Sequence, residues 1–166
     1  MVKNHTIVLG APMLQQAILD PSSEQLYEQD FWLWTQAMVK VLKSGNLSQL
    51  DLENLAEEVE SLGRSDRREL QSRLTVLLMH LLKWQFQSDM RSRSWRGTLA
   101  EQRIRIIKLL KESPSLRSFF EASVDECYDD AKVKASEETG LMMVTFPVLC
   151  PYAMEDILSI EFLPSD

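Results

Sequence analysis

The chain has 166 residues, a formal net charge of -7, 45% apolar and 26% charged residues. That length suits one domain: burial of roughly 68–70% of the unfolded surface supports a core without disulfides or a structural metal. Five Gly and six Pro exclude collagenous and low-complexity classes, and no apolar run approaches the ~20 residues of a spanning helix. Ile7-Val8-Leu9 is too short for a secretory leader, no lipidation signal is present, and Cys127 and Cys150 lack metal-ligand spacing. A cytoplasmic protein with two reduced thiols and no membrane contact is expected.

Residues 1–25 carry little pattern and read as an N-terminal arm, with 26–166 as a single helical-bundle domain. Phe31, Trp34, Met38, Val41 and Leu42 share one helix face, with Gly45 placed to end the helix. Asp51 caps a second helix with the inner face Leu52, Leu55, Ala56, Val59 and Leu62, closed by Gly63. A third helix starts at Ser65 and runs on Leu70, Leu74, Leu77, Leu78, Leu81 and Trp84, followed by a turn-rich connector to Gly97. Thr98-Leu99-Ala100-Glu101 reads as a capping box opening the fourth. Ser113-Pro114 opens the fifth, which buries Leu116, Phe120, Val124, Cys127 and Ala131 and stops at Gly140. A short helix is expected over 154–159. No segment alternates as a strand does, so the fold class is all-α: an antiparallel bundle of about five main helices, a short C-terminal helix and the arm.

Charge is distributed by segment. Residues 1–63 carry 3 basic and 9 acidic groups, residues 64–111 carry 12 and 4, and residues 112–166 carry 3 and 12. Arg64, Arg67, Arg68, Arg91, Arg93, Arg96, Arg105, Lys108 and Lys111 could form an anion or nucleic-acid surface, with Trp95 available to stack. The plainer reading pairs these charges with the neighbouring acidic helices, and an acidic whole opposes polyanion binding.

Inside the fourth helix, Arg103 lies only about 40° round from Leu99 and so falls within the apolar arc. A buried guanidinium needs a partner, and Glu57 or Glu60 on the acidic ridge of the second helix is the expected one. With His80 and Trp84 on the flank of the third helix, Glu57, Glu60 and Arg103 could converge in a polar pocket or in a buried network that fixes helix register. Glu57-x-x-Glu60 and Glu126-x-x-Asp129 superficially look like the paired acidic motifs of all-α nucleoside triphosphate pyrophosphatases, but their separation is too long for that pattern. Cys127 reads as an inert core thiol, and Ser92, Ser94 and Trp95 as a connector anchored by one indole. Phosphate loops, nucleophile elbows and H-E-x-x-H helices are missing.

The runs Leu26-Tyr-Glu-Gln-Asp-Phe31, Asp51-Leu-Glu-Asn-Leu-Ala-Glu-Glu-Val-Glu-Ser-Leu-Gly-Arg-Ser65, His80-Leu-Leu-Lys83-Trp84, Arg93-Ser-Trp95, Ser113-Pro-Ser-Leu116, Cys150-Pro-Tyr152 and Phe162-Leu-Pro164 form a set. Together, over about residues 26–164, they resemble the domain-of-unknown-function family numbered twenty-nine, small proteins chiefly of cyanobacteria and other bacteria. The resemblance implies an all-α bacterial protein without an assigned activity, and leaves the first 25 residues outside. Its signature positions here include Glu57, Glu60, Gly63, Arg64, His80, Lys83, Trp84, Trp95 and Arg103, which overlap the group found on the helical wheel.

Three functional expectations follow. The first is a non-enzymatic binding or protein-interaction module, dimeric through leftover apolar surface, needing no cofactor or metal and acting on a protein or small ligand. The second is a metal-dependent enzyme acting on a phosphate-containing substrate, with Glu57, Glu60 and His80 holding a divalent ion and Arg103 the anion. The third is a nucleic-acid-binding protein using the basic third and fourth helices.

Overall fold

A computed structural model describes residues 23–165, and the arm expected over the first 25 residues falls outside it up to residue 22. The chain is all-α, with no strand among the described residues. Its helices are α1 (Ser23–Gln29), α2 (Phe31–Ser44), α3 (Leu52–Phe86), α4 (Arg93–Glu112), α5 (Leu116–Ala122), α6 (Val124–Thr139) and α7 (Met154–Leu158). Two compact units divide the chain, the boundary falling after Glu57 within α3.

In the first unit, Asp30 caps α2 by accepting from the Leu33 amide, and Gly45 ends it in the left-handed conformation at φ 74°. Trp34 is buried, with Tyr27 at 4.9 Å and Phe31 at 5.6 Å between ring centroids. Its indole Nε1 donates to Asp51 Oδ2 at 3.1 Å, while Asp51 Oδ1 accepts from the Asn54 amide at 3.3 Å. One carboxylate thus satisfies a buried indole and starts α3.

The second unit is built on the later part of α3, from which Leu70, Leu74, Leu77, Leu78, Leu81 and Leu82 are fully buried. Leu99 and Ile106 of α4, Phe120 of α5, and Cys127, Tyr128, Ala131 and Ala135 of α6 complete the core with Phe146, Tyr152 and Ile157 from the C-terminal segment. Arg73 Nη1 meets Gln102 Oε1 at 3.3 Å and Lys83 lies over Trp95, so α3 and α4 run antiparallel. Gln71 meets Glu126 and Lys83 meets Glu138, so α6 runs parallel to α3. This is the up-down-up order of a helical bundle, with α5 making the second reversal.

The sequence punctuation misplaces three boundaries. Gly63 does not stop a helix: α3 is continuous for 35 residues, and positive φ among the described glycines occurs only at Gly45 and Gly140. The i to i−4 ladder satisfies the backbone straight through it. The expected inner face of the second helix is also uncovered, with Leu52, Val59 and Leu62 exposed and Leu55 half-buried. Helix α4 is capped six residues before Thr98, because Ser92 Oγ accepts from the Trp95 amide at 3.3 Å; Thr98 Oγ1 instead donates back to Ser94 O. The fifth helix is broken at Ser123, whose Oγ donates to Phe119 O at 2.7 Å, into α5 and α6. Gly140 closes α6 at φ 73°, as its sequence predicts.

A Cβ on Gly63 would meet open space. Gly63→Ala is therefore expected to stabilise the fold by about 0.5–1 kcal/mol, whereas Gly140→Ala, strained at positive φ, should cost about 1 kcal/mol. Chemical denaturation of both variants checks this; destabilisation by Gly63→Ala would mean that α3 does break there.

Candidate functional site

Arg103 is 1% exposed, so the wheel places its charge correctly inside the bundle. Its partners are not the glutamates. Nε donates to Ile157 O at 2.9 Å, Nη2 to Asp156 O at 3.3 Å and Nη1 to Ile160 O at 3.4 Å. Helix α7 has only five residues, so its last carbonyls lack continuing turns to accept from, and the planar fork of α4 fits across them. Burial lowers the guanidinium below its ordinary value, partly offset by the nearby Asp156 carboxylate.

The expected pocket is not assembled. Glu57 is exposed, and Glu60 forms an exposed ion pair at 3.1 Å with Arg64, one turn along the same helix. Trp84 is half-buried beneath the Arg91 guanidinium at 5.3 Å, and Arg91 Nε donates to Trp84 O at 2.8 Å. Among the described residues no hydrogen bond or ion pair joins any two of Glu57, Glu60, His80, Trp84 and Arg103. The helical wheel orders residues around one axis but carries no information about which neighbour reaches them, and α7 supplied an acceptor that no side-chain pattern signals.

A buried cation on α3 that the sequence pattern does not single out makes a further inter-helical polar contact. Lys83, buried on α3, donates to Glu138 Oε2 of α6 at 2.5 Å, and its ammonium lies 4.5 Å from the Trp95 ring centroid of α4. One cation thus ties the three long helices of this unit. Trp95, available to stack by sequence, is taken up in this contact; the signal in the sequence is a lysine one turn after His80 within the otherwise apolar stretch 74–84. One turn back, His80 Nδ1 lies 3.0 Å from Val76 O. A carbonyl only accepts, so Nδ1 carries the proton and Nε2 keeps its lone pair. Burial lowers the imidazole below its ordinary value.

The basic set divides. Arg64 is paired with Glu60, Arg67 lies 5.2 Å from the Phe119 ring centroid, and Arg91 and Trp95 serve the contacts above. Arg68, Arg93 and Arg96 stand exposed. The other acidic motif is dispersed too, Glu126 meeting Gln71 and Asp129 pairing with Lys132 at 2.7 Å. Among the described residues no group of three His, Cys, Asp or Glu side chains could hold a metal ion. Cys127 and Cys150 are free, and burial raises both thiols. None of the described helices is long and apolar enough to cross a membrane.

The family model described as "Domain of unknown function DUF29" matches residues 26–163. The chain belongs to this family. None of the curated proteins or solved structures searched matches it. Of the positions that the resemblance singles out, Lys83 and Arg103 are buried cations, and Trp95 is the indole on which Lys83 rests.

Arg103→Met would remove the guanidinium donor from three carbonyls of the C-terminal segment, of which Asp156 O keeps the Ser159 amide at 3.2 Å, and is expected to cost about 2–4 kcal/mol. Glu57→Ala and Glu60→Ala should change stability by no more than about 0.5 kcal/mol. Urea denaturation distinguishes the two cases, and a large loss at Glu57 would restore the pairing expected from sequence.

Because the folded state lowers the His80 pKa, the unfolded chain takes up the proton first as pH falls. The contribution of His80 to stability is complete above its unfolded value of about 6.5 and is lost as pH drops below it through the folded value. The chain has two histidines, so an imidazole NMR titration with His5→Gln isolates the residue. A midpoint below about 6.5 is expected, and one above it contradicts the assignment.

Proposed function

We propose that this DUF29 protein is a helical-bundle interaction module whose contact surface is the outward face of α4. The observation that carries this reading is the composition of that face. Ile104 is 58% and Ile107 41% exposed, and both lie within about 60° of Arg93 around the helix, on the same arc as Arg96, Lys108 and Lys111. Lys108 pairs with Glu112 at 3.7 Å, while the two arginines lie at the other end. An apolar centre with cationic ends suits an acidic protein surface carrying an aliphatic or aromatic anchor.

Buried charge supports the same reading from the other side. Arg103 and Lys83 are committed to groups of their own chain, which makes them structural rather than available to substrate. A metal-dependent reaction on a phosphate compound gains no support, since Glu57, Glu60 and His80 are not clustered. The nucleic-acid reading keeps one favourable observation, the exposure of Arg68, Arg93 and Arg96. It loses Trp95, whose ring is occupied by Lys83.

The test is in-cell cross-linking with the full chain, comparing wild type with Arg93→Glu/Ile104→Asp. A protein captured by wild type, insensitive to nuclease and reduced at least tenfold in the variant, is the expected outcome. Equal capture by both would sink the proposed face. Salt-dependent binding of short RNA that disappears in Arg93→Glu/Arg96→Glu would transfer the face to nucleic acid.

A further inference from the structure

Two exposed apolar surfaces of this chain carry opposite charge. Between Leu52 and Leu62, α3 holds four glutamates and no basic residue, and Leu52 is 65%, Val59 62% and Leu62 68% exposed. Glu53 and Glu60 border that stripe, each within about 100° of Leu52 around the helix. Glu60 shares its charge with Arg64, while Glu53 forms no ion pair among the described residues. Val59 and Leu62 are bare because α4 ends before reaching them. The turn after α4 lies against the next part of α3, where Ser113 and Ser115 share a cleft with Gly63, Arg64 and Arg67. A helix draws most of its stability from packing its apolar face, and this stretch leaves that face to water.

The end of the α4 face supplies the complement. Ile107, Leu110, Pro114 and Leu158 wall a cleft of about 460 Å³ whose remaining lining residues are Lys111 and Arg117. Neither cation forms an ion pair among the described residues, and Glu112, next to Lys111 in the chain, is engaged by Lys108. The walls are fixed in place. Arg117 N donates to Pro114 O at 3.1 Å at the start of α5, and Arg103 holds the Ile157 carbonyl beside Leu158. A preformed apolar cleft that carries two cations and no acid suits an aliphatic side chain lying beside a carboxylate.

We propose that this cleft and the adjoining α4 face receive the α3 stripe of a second copy of this chain, in a two-fold dimer where the contact is made twice. The proposal rests on the α4 reading above and names its partner. Leu52-Glu53 and Val59-Glu60 present the required chemistry, an aliphatic group next to an acid. Stripe against stripe would set glutamate beside glutamate, and α4 against α4 would set cation beside cation. Only the exchanged pairing matches both charge and apolar surface. The uncharged run 140–154 is the poorer occupant. Tyr128 OH anchors it to α6 through Pro147 O at 3.0 Å and Lys132 Nζ through Val148 O at 3.1 Å, and it has no carboxylate of its own to offer.

Sedimentation equilibrium of the full chain, from micromolar to sub-millimolar concentration, should approach twice the 19.2 kDa chain mass. Lys111→Glu/Arg117→Glu and Glu53→Lys/Glu60→Lys are each expected to weaken dimerisation at least tenfold, with unchanged far-ultraviolet circular dichroism spectra. An equimolar mixture of the two variants should dimerise again, because each reversed surface then meets its complement. A wild-type chain that stays at 19.2 kDa throughout would overturn the second copy as partner, and leave the α4 face to the capture of a different protein in the cross-linking test above. So would an α3 variant as dimeric as wild type, or a mixture no more dimeric than its components. Should a charge variant fail to fold, cysteine placement gives a second reading. A short bis-maleimide should link a Val59→Cys copy to an Ile107→Cys copy faster than it links either variant to itself, and equal rates would contradict the contact.

Discussion

The C-terminal segment depends on one desolvated guanidinium. Without Arg103, the buried Ile157 carbonyl would lose its donor and those of Asp156 and Ile160 their tie to α4, and a five-residue helix has too few internal bonds to hold itself. Taking a charge out of water is costly, and the cost is offset only because the planar fork meets several acceptors together. The residue is therefore better understood as a clamp for α7 and the chain after it than as half of a carboxylate pair. The consequence reaches Phe146 and Tyr152, since the segment carrying them is fixed at its far end by this clamp.

Lys83 plays the corresponding part among the long helices, through a different chemistry. Its compact ammonium satisfies one carboxylate and rests on an indole face, which suits a crossing of three helices where a guanidinium fork would have too many donors to place. Among the described residues no buried side-chain nitrogen or oxygen lacks a hydrogen-bond partner. A closed interior of this kind leaves little unspent polarity.

Much of the architecture was legible in the residues. The periodicity of Leu70, Leu74, Leu77, Leu78 and Leu81 gave the core face of α3, and Gly45 and Gly140 behave as left-handed stops. Gly63 has the same composition signal without the conformation, because glycine permits a positive φ but does not impose it, and the chain after it remains a good helix. The interior position of Arg103 was legible for a related reason: one helix's own geometry sets it. Its partner was not, since backbone carbonyls are identical at every position and only the tertiary fold decides which stand unsatisfied. Lys83 escaped for the converse reason. It lies off the leucine face of α3, and only the arrival of α4 and α6 buries that flank.

The distribution of charge then acquires a physical sense that the total conceals. Acidic groups of α6 surround an anchored, uncharged segment, while the outward face of α4 gathers cations about two isoleucines. Two surfaces of such different character on one small bundle discriminate against each other's partners, since each would set an ill-matched charge beside the apolar contact of the other.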